Sequence, residues 1–184
     1  MGRKVAGCVP VLIDAATATP TVLLVQSRWS PAIWLFPKGG VDGGESAKEA
    51  AVRETLEEAG VAGAVWGSKL GVWEFASTGQ KQKMWLFRVT DVHDKSSKKW
   101  KERNKRARQF LSFPDARALM MNVDPAERRM ELVEILDAAE KRLAKVQAKA
   151  AAKAAAKAAD ATATASAGTS SVETGDSEES DGSD

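Results

Sequence analysis

The sequence predicts an α/β (α+β) domain followed by a helical extension and a disordered tail. Three observations carry that prediction. Short Val- and Leu-rich stretches separated by turn residues recur through the first two thirds of the chain. One glutamate-rich helix interrupts them, and further helical segments follow. The charge then separates along the chain: residues 1–140 hold 21 basic and 18 acidic side chains, residues 141–158 six basic and no acidic ones, and the last 26 residues seven acidic and no basic ones.

The elements follow in order. Residues 3–13 and 21–28 read as two strands, parted by the turn-forming stretch 14–20. Residues 33–36 form a short strand ending at Pro37. Residues 38–44 carry four glycines and read as a loop. Residues 46–59 are a helix, with Ser46 and Glu49 in capping-box spacing and Gly60 at the stop. Residues 69–76 and 83–91 read as strands joined by the polar turn 77–82. A basic stretch from Lys95 to Arg108 leads to a short strand at 109–113. Pro114 and Asp115 open a helix to about Met121, and Pro125 starts another with apolar positions Met130, Val133, Leu136 and Leu143. The domain is therefore 1–143. Residues 144–159, nearly all Ala and Lys, have helix propensity but nothing to pack with, and read as a solvated helix. Residues 160–184 read as a disordered acidic tail.

The 43% apolar content suffices for a core, to which the six Trp are expected to contribute. A lone cysteine, Cys8, excludes an internal disulfide and suits a reducing compartment; its apolar neighbours make it a buried thiol. No secretory signal and no membrane-length apolar run are visible, so a cytoplasmic or nuclear location and no membrane partner are expected. A monomer fits the sequence, which leaves the oligomeric state open.

On the helix, Glu54, Glu57 and Glu58 fall within one arc, while Val52, Leu56 and Ala59 fall on the opposite, core-facing arc. Crowded carboxylates raise one another's pKa, and a hard divalent cation relieves that repulsion. Arg53 lies one turn before Glu57, placed to orient a carboxylate. The segment Trp34-Leu-Phe-Pro-Lys-Gly-Gly40 delivers a strand into a glycine loop, where backbone can approach a metal or phosphate.

Gly39, Glu45, Arg53, Glu54, Glu57, Glu58 and Gly60 match all seven fixed positions of G-x5-E-x7-R-E-U-x-E-E-x-G-U, and the sequence thereby resembles the Nudix hydrolase family. Val61 fits the final hydrophobic place, whereas Thr55 stands where a bulkier aliphatic residue is usual. Seven such matches at one start point arise by chance about once in a hundred million or less. The resemblance implies an α/β/α sandwich around a mixed sheet, and hydrolysis of a phosphoanhydride by water. It implies Mg²⁺, with Mn²⁺ as the alternative. Glu57 and Glu58 would be metal ligands, aided by a backbone carbonyl at Gly39 or Gly40. Glu54 would be a further ligand or the general base, and Glu45 would brace the site through Arg53.

Outside the box, the chain is most similar to the diphosphoinositol polyphosphate phosphohydrolase branch, which also cleaves diadenosine polyphosphates. The likeness covers Arg3 to about Met120. It includes Arg3 and Lys4 on the opening strand, Ser27 and Arg28, the Pro-Lys-Gly-Gly run through Lys38, Gly39 and Gly40, and Arg106 and Arg108 before the last strand. Lys81 and Lys83 stand where relatives often place His or Arg. Asn122-Val-Asp124-Pro departs from the branch, which has a basic residue there. Arg3, Lys4, Ser27, Arg28, Lys38, Gly39, Gly40, Lys81, Arg106 and Arg108 are the expected substrate-binding set, since a polyphosphorylated small molecule needs several cations, and Lys95 to Arg108 holds eight bases and one acid.

Two alternatives stand beside this reading. One is an RNA cap or 5′-end pyrophosphohydrolase, which makes RNA the secondary partner. The other is a non-catalytic module of the same fold, against which the intact Glu54, Glu57 and Glu58 set argues. His93 reads as a strand-end residue. In the tail, Ser177 and Ser180 precede acids and suit acid-directed phosphorylation, while the plain reading is a solubilising end.

Overall fold

The computed structural model describes residues 3–167. Among the described residues, eight strands and three helices follow in the order β1 (Val5–Ile13), β2 (Pro20–Gln26), β3 (Trp34–Leu35), β4 (Lys38–Gly40), α1 (Ala47–Ala59), β5 (Val61–Val65), β6 (Gly71–Phe75), β7 (Gln80–Val92), β8 (Arg108–Leu111), α2 (Phe113–Met121) and α3 (Met130–Ala167). The strands form one sheet whose main path runs β3-β2-β1-β7-β5, with β4 on β1, β6 on β7 and β8 on β2. Among the described residues only β1 and β7 pair in parallel, so the sheet is mixed.

Alternation along the central strands builds two cores, as a sheet buried on both faces requires. On one face Ala6, Cys8, Leu23, Val25, Trp85, Phe87 and Val89 meet Ala50, Ala51 and Ala59 of α1. On the other, Val9, Val11, Val22, Leu24, Met84 and Leu86 meet Phe113, Ala116 and Met120 of α2 and Leu132, Ile135, Leu136, Ala139 and Leu143 of α3. Each fully buried Leu or Ile there contributes about 1.5–3 kcal/mol. Arg117 on α2 also reaches Asp137 and Glu140 on α3. The chain divides into two units, Met1–Ala144 and Lys145–Asp184.

Several elements differ from the sequence expectation. Residues 38–44 are not all loop, because Lys38–Gly40 pairs antiparallel with Val5, Ala6 and Gly7 as β4. That strand is held by its partner's backbone, not by its own propensity. Strand β5 was not expected, since Val-Ala-Gly-Ala-Val is weakly patterned; it pairs with β7 through a bulge at Ala62/Gly63. The final helix begins at Met130 rather than Pro125, after a turn in which Asp124 accepts from Ala126 N at 2.8 Å. It ends at Ala167 rather than 159, and the alanines at 161, 163, 165 and 167 keep propensity high. The expected disorder over 168–184, with Ser177 and Ser180, lies outside the described residues. Among the described residues no helix is long and apolar enough to cross a membrane.

The tryptophans also divide. Trp85 and Trp100 are buried and Trp34, Trp66 and Trp73 partly so, but Trp29 is 94% exposed. It sits in the β2–β3 loop, where no core lies within reach.

Candidate active site

Helix α1 starts where its local chemistry dictates. Ser46 Oγ accepts from Glu49 N, and Glu49 Oε2 accepts from Ser46 N at 2.8 Å, closing the capping box. Gly60 ends it at φ 62°, a left-handed conformation that favours glycine, and a Cβ there would overlap the Trp100 ring. The core-facing arc is not the one the helical wheel predicts. Ala51, Thr55 and Ala59 are fully buried, whereas Val52 and Leu56 are only partly so. Small residues face inward because the helix lies close over β1. Thr55 stands there as a polar isostere of an aliphatic residue, with its hydroxyl donating to Ala51 O at 2.7 Å. Burial pushes the Cys8 thiol up to about 12, and a hydrogen bond with Thr55 pulls the other way.

The carboxylates lie on the arc beside the core-facing one, with Glu58 itself buried at the edge of the core face, and Arg53 organises them. Its guanidinium donates to Glu45 at 2.7 and 3.1 Å, to Glu54 at 2.8 Å and to the Gly40 carbonyl at 2.9 Å. It lies 3.9 Å from Glu57. Those hydrogen bonds, with one from Asp42 N, hold the Glu45 carboxyl down at about 2. Glu54 packs on Gly39, where any Cβ would overlap its carboxylate. Burial raises the Glu54 pKa, with Arg53 opposing. Glu58 is buried deeper and is pushed up to about 7, although Arg106 at 3.1 Å and the Lys38 N–H at 3.0 Å both favour its ionised form. Desolvation is thus the leading cause for both carboxyls; the expected repulsion within the arc acts only on Glu54, from Glu57, and comes after it, while Glu102 repels both.

The basic segment docks on the end of this helix. A helix leaves its last four carbonyls unpaired. Here the Glu57 carbonyl accepts from Glu102 N, the Glu58 carbonyl from Trp100 Nε1 at 3.0 Å, and the Ala59 carbonyl from Arg108 at 2.6 Å. The Gly60 carbonyl takes both Arg108 and His93 N. Arg108 also donates to the His93 carbonyl and stacks 3.9 Å over the Trp100 ring. From the same segment Lys101 Nζ lies 2.5 Å from Glu57. Arg106 bridges Glu58 to Glu102 at 2.8 Å, and Glu102 meets Arg28 at 3.4 Å.

The expected substrate-binding residues therefore part into groups. Arg3, Lys4 and Lys81 line one cleft of about 590 Å³, together with Lys83, Val72 and residues 78–80 of the β6–β7 turn. Arg3 also lies against Gly40, which ties this cleft to the glycine pair beside Glu54. Lys81 pairs with Glu74 at the rim. Lys38 is close to Glu58, and burial lowers its pKa. Arg28 joins the far flank through Glu102. Arg106 and Arg108 are occupied by carboxylates and carbonyls respectively, and Ser27 is buried, its hydroxyl accepting from Trp29 N and Ser30 N.

Sequence reasoning passed over Lys101, Glu102 and Trp29. The trace of Glu102 was there: it is the one acid in a run of eight bases. Its charge also raises the pKa of both Glu54 and Glu58, so it faces the same centre.

The oxygen donors suit a hard cation, and two of them, Glu54 and Glu58, carry a desolvation penalty that such an ion would remove. As they stand each carboxylate is turned to a basic side chain, and among the described residues no three converge at metal-ligand spacing.

Comparison with known proteins gives a consistent result. Residues 2–133 match the NUDIX domain family. "Nudix hydrolase 4" of Arabidopsis thaliana is 35% identical over 135 residues, which cover 65% of this chain and 60% of that protein. "Nudix hydrolase 17, mitochondrial" of the same plant is 35% identical over 150 residues, covering 77% of this chain and 76% of the relative. A crystal structure of a C. elegans Ap4A hydrolase binary complex superimposes with a TM-score of 0.59 at 26% identity, covering 77% of this chain and 99% of that one. The chain thus spans less than two thirds of the first relative's length.

Proposed function

We propose, from the premise that this chain belongs to the NUDIX domain family, that it is a Mg²⁺-dependent hydrolase of phosphoanhydrides in diphosphoinositol polyphosphates, diadenosine polyphosphates or both. One observation carries the reading: a cleft with four cationic side chains, Arg3, Lys4, Lys81 and Lys83, adjoins the glycine pair that backs Glu54. A row of phosphates needs that neighbourhood, with cations at its length and carboxylates at the bond to be cut.

Glu54, Glu57, Glu58 and a carbonyl at Gly39 would hold the metal, which would screen phosphate charge and acidify water. Where Glu54 is not itself a ligand it can accept the proton of the attacking water, and burial raises its pKa in that direction. Arg53, fixed by Glu45, keeps Glu54 and the Gly40 carbonyl in register. Arg3, Lys4, Lys38, Lys81 and Lys83 grip the non-reacting phosphates, with Arg28 on the opposite flank. Arg108 serves the helix end. Arg106 serves Glu58 and Glu102, and Ser27 serves the loop. The exposed indole of Trp29, beside Arg28, favours the diadenosine arm, since an aromatic face stacks on a base. The Ap4A hydrolase neighbour supports that arm too.

Steady-state kinetics on an inositol pyrophosphate, a diadenosine polyphosphate and capped RNA test the assignment. Combining Lys4→Gln, Lys81→Gln and Lys83→Gln is expected to raise KM about tenfold or more on the preferred substrate and to leave kcat within about threefold, as loss of uniform binding does. Turnover of capped RNA alone, or an unchanged KM, would contradict it.

A further inference from the structure

Lys145, Lys149, Lys153 and Lys157 recur at every fourth position of α3 within the second unit, and all four are exposed. Four residues advance a helix by about 6 Å and turn it by about 40°, so the ammonium groups form one slowly winding row about 18 Å long. No acid lies between Lys141 and Ala159. Past Leu143 the side chains between the lysines are Ala, apart from Val146 and Gln147. Lysines four apart repel one another and weaken the helix that displays them. A line of negative charge running beside the row removes that repulsion.

We propose that this lysine row binds the phosphate backbone of a double-stranded nucleic acid without reading its sequence. The occupant follows from what the helix lacks. A helix that lies on a membrane buries an apolar face, and this stretch offers methyl groups and little else. A protein partner is held mainly by large anchors such as Trp, Tyr or Arg in desolvated pockets, and residues 144–158 contain none. Binding to a duplex backbone needs only regularly spaced cations, because release of the counterions drives it. This activity is separate from hydrolysis, as the lysines belong to neither the carboxylate arc nor the cationic cleft.

The full chain should be titrated against a fluorescent duplex of about 20 base pairs, of arbitrary sequence, over a range of salt. Four phosphate contacts predict a slope of log Kobs against log salt of about −3.6. The combined Lys145→Gln, Lys149→Gln, Lys153→Gln and Lys157→Gln variant should bring the slope close to zero and weaken binding at least tenfold at low salt, with hydrolase rates unchanged. The same four positions changed to Arg should keep both affinity and slope, which separates loss of charge from loss of helix. Wild-type affinity or slope in the Gln variant would overturn the proposal, as would failure of the wild type to bind at low salt. So would binding to phosphatidylserine vesicles but not to the duplex. Duplex binding that appears only after removal of residues 168–184 would also overturn it, because the chain's own acidic segment would then be the occupant.

Discussion

Gly39 and Cys8 each do one physical thing that a single substitution can expose. The backbone of Gly39 leaves room for the Glu54 carboxylate, and a methyl group there would overlap it. If Glu54 acts in the reaction as proposed, Gly39→Ala should lower kcat about a hundredfold by displacing its carboxylate roughly 1 Å. Its melting temperature should stay within a few degrees; initial rates beside a thermal melt decide this. Cys8 makes a pH prediction. Its thiol ordinarily titrates at 9.0 and is pushed up to about 12 in the fold by burial. Below pH 9 it is protonated in both states and contributes no pH dependence. From pH 9 towards 12 the unfolded chain loses the proton while the folded chain keeps it, so stability falls as pH rises. Urea melts over that range should show a steeper decline for the wild type than for Cys8→Ala, and iodoacetamide should leave the native thiol unmodified at pH 8.5.

Helix α1 and the segment that closes it show what a linear sequence can and cannot display. The start, stop and carboxylate arc of α1 were legible because capping box, terminal glycine and 3.6-residue period are local. Its core arc was misassigned to Val52 and Leu56, because the closeness of helix to sheet, which selects Ala51 and Thr55, is a tertiary property. Arg106 and Arg108 resemble substrate-binding cations in sequence for the same reason: their partners at the end of α1, Glu58 for Arg106 and Ala59 and Gly60 for Arg108, are 48 or 49 residues away. Arg108 closes the end of α1, so Arg108→Ala should cost about 2 kcal/mol in a denaturant melt, as loss of hydrogen bonds from a charged donor does. At temperatures where the variant is folded, its KM should stay near the wild-type value. A large rise in KM without loss of stability would return Arg108 to the substrate.

At the scale of the whole molecule, the mixed sheet with helices on both faces was legible once the seven fixed residues identified the family, and periodicity alone supplied its longer strands. Strands β4 and β5 were not, since Lys-Gly-Gly and Val-Ala-Gly-Ala-Val become strands only beside β1 and β7. The fold sets a partly buried carboxylate arc between two basic surfaces, one a cleft and the other a segment whose cations already meet Glu57 and Glu58. Hydrolysis at that arc is the centre of the account. Its most direct test is the Mg²⁺ dependence of diadenosine polyphosphate and inositol pyrophosphate turnover, measured for the wild type and for Glu57→Gln at equal folded concentration. The account predicts wild-type activity that saturates with Mg²⁺ and vanishes in EDTA, and a variant at least about a hundredfold slower at every Mg²⁺ concentration. Equal rates in the two proteins, or wild-type activity that survives EDTA, would contradict it.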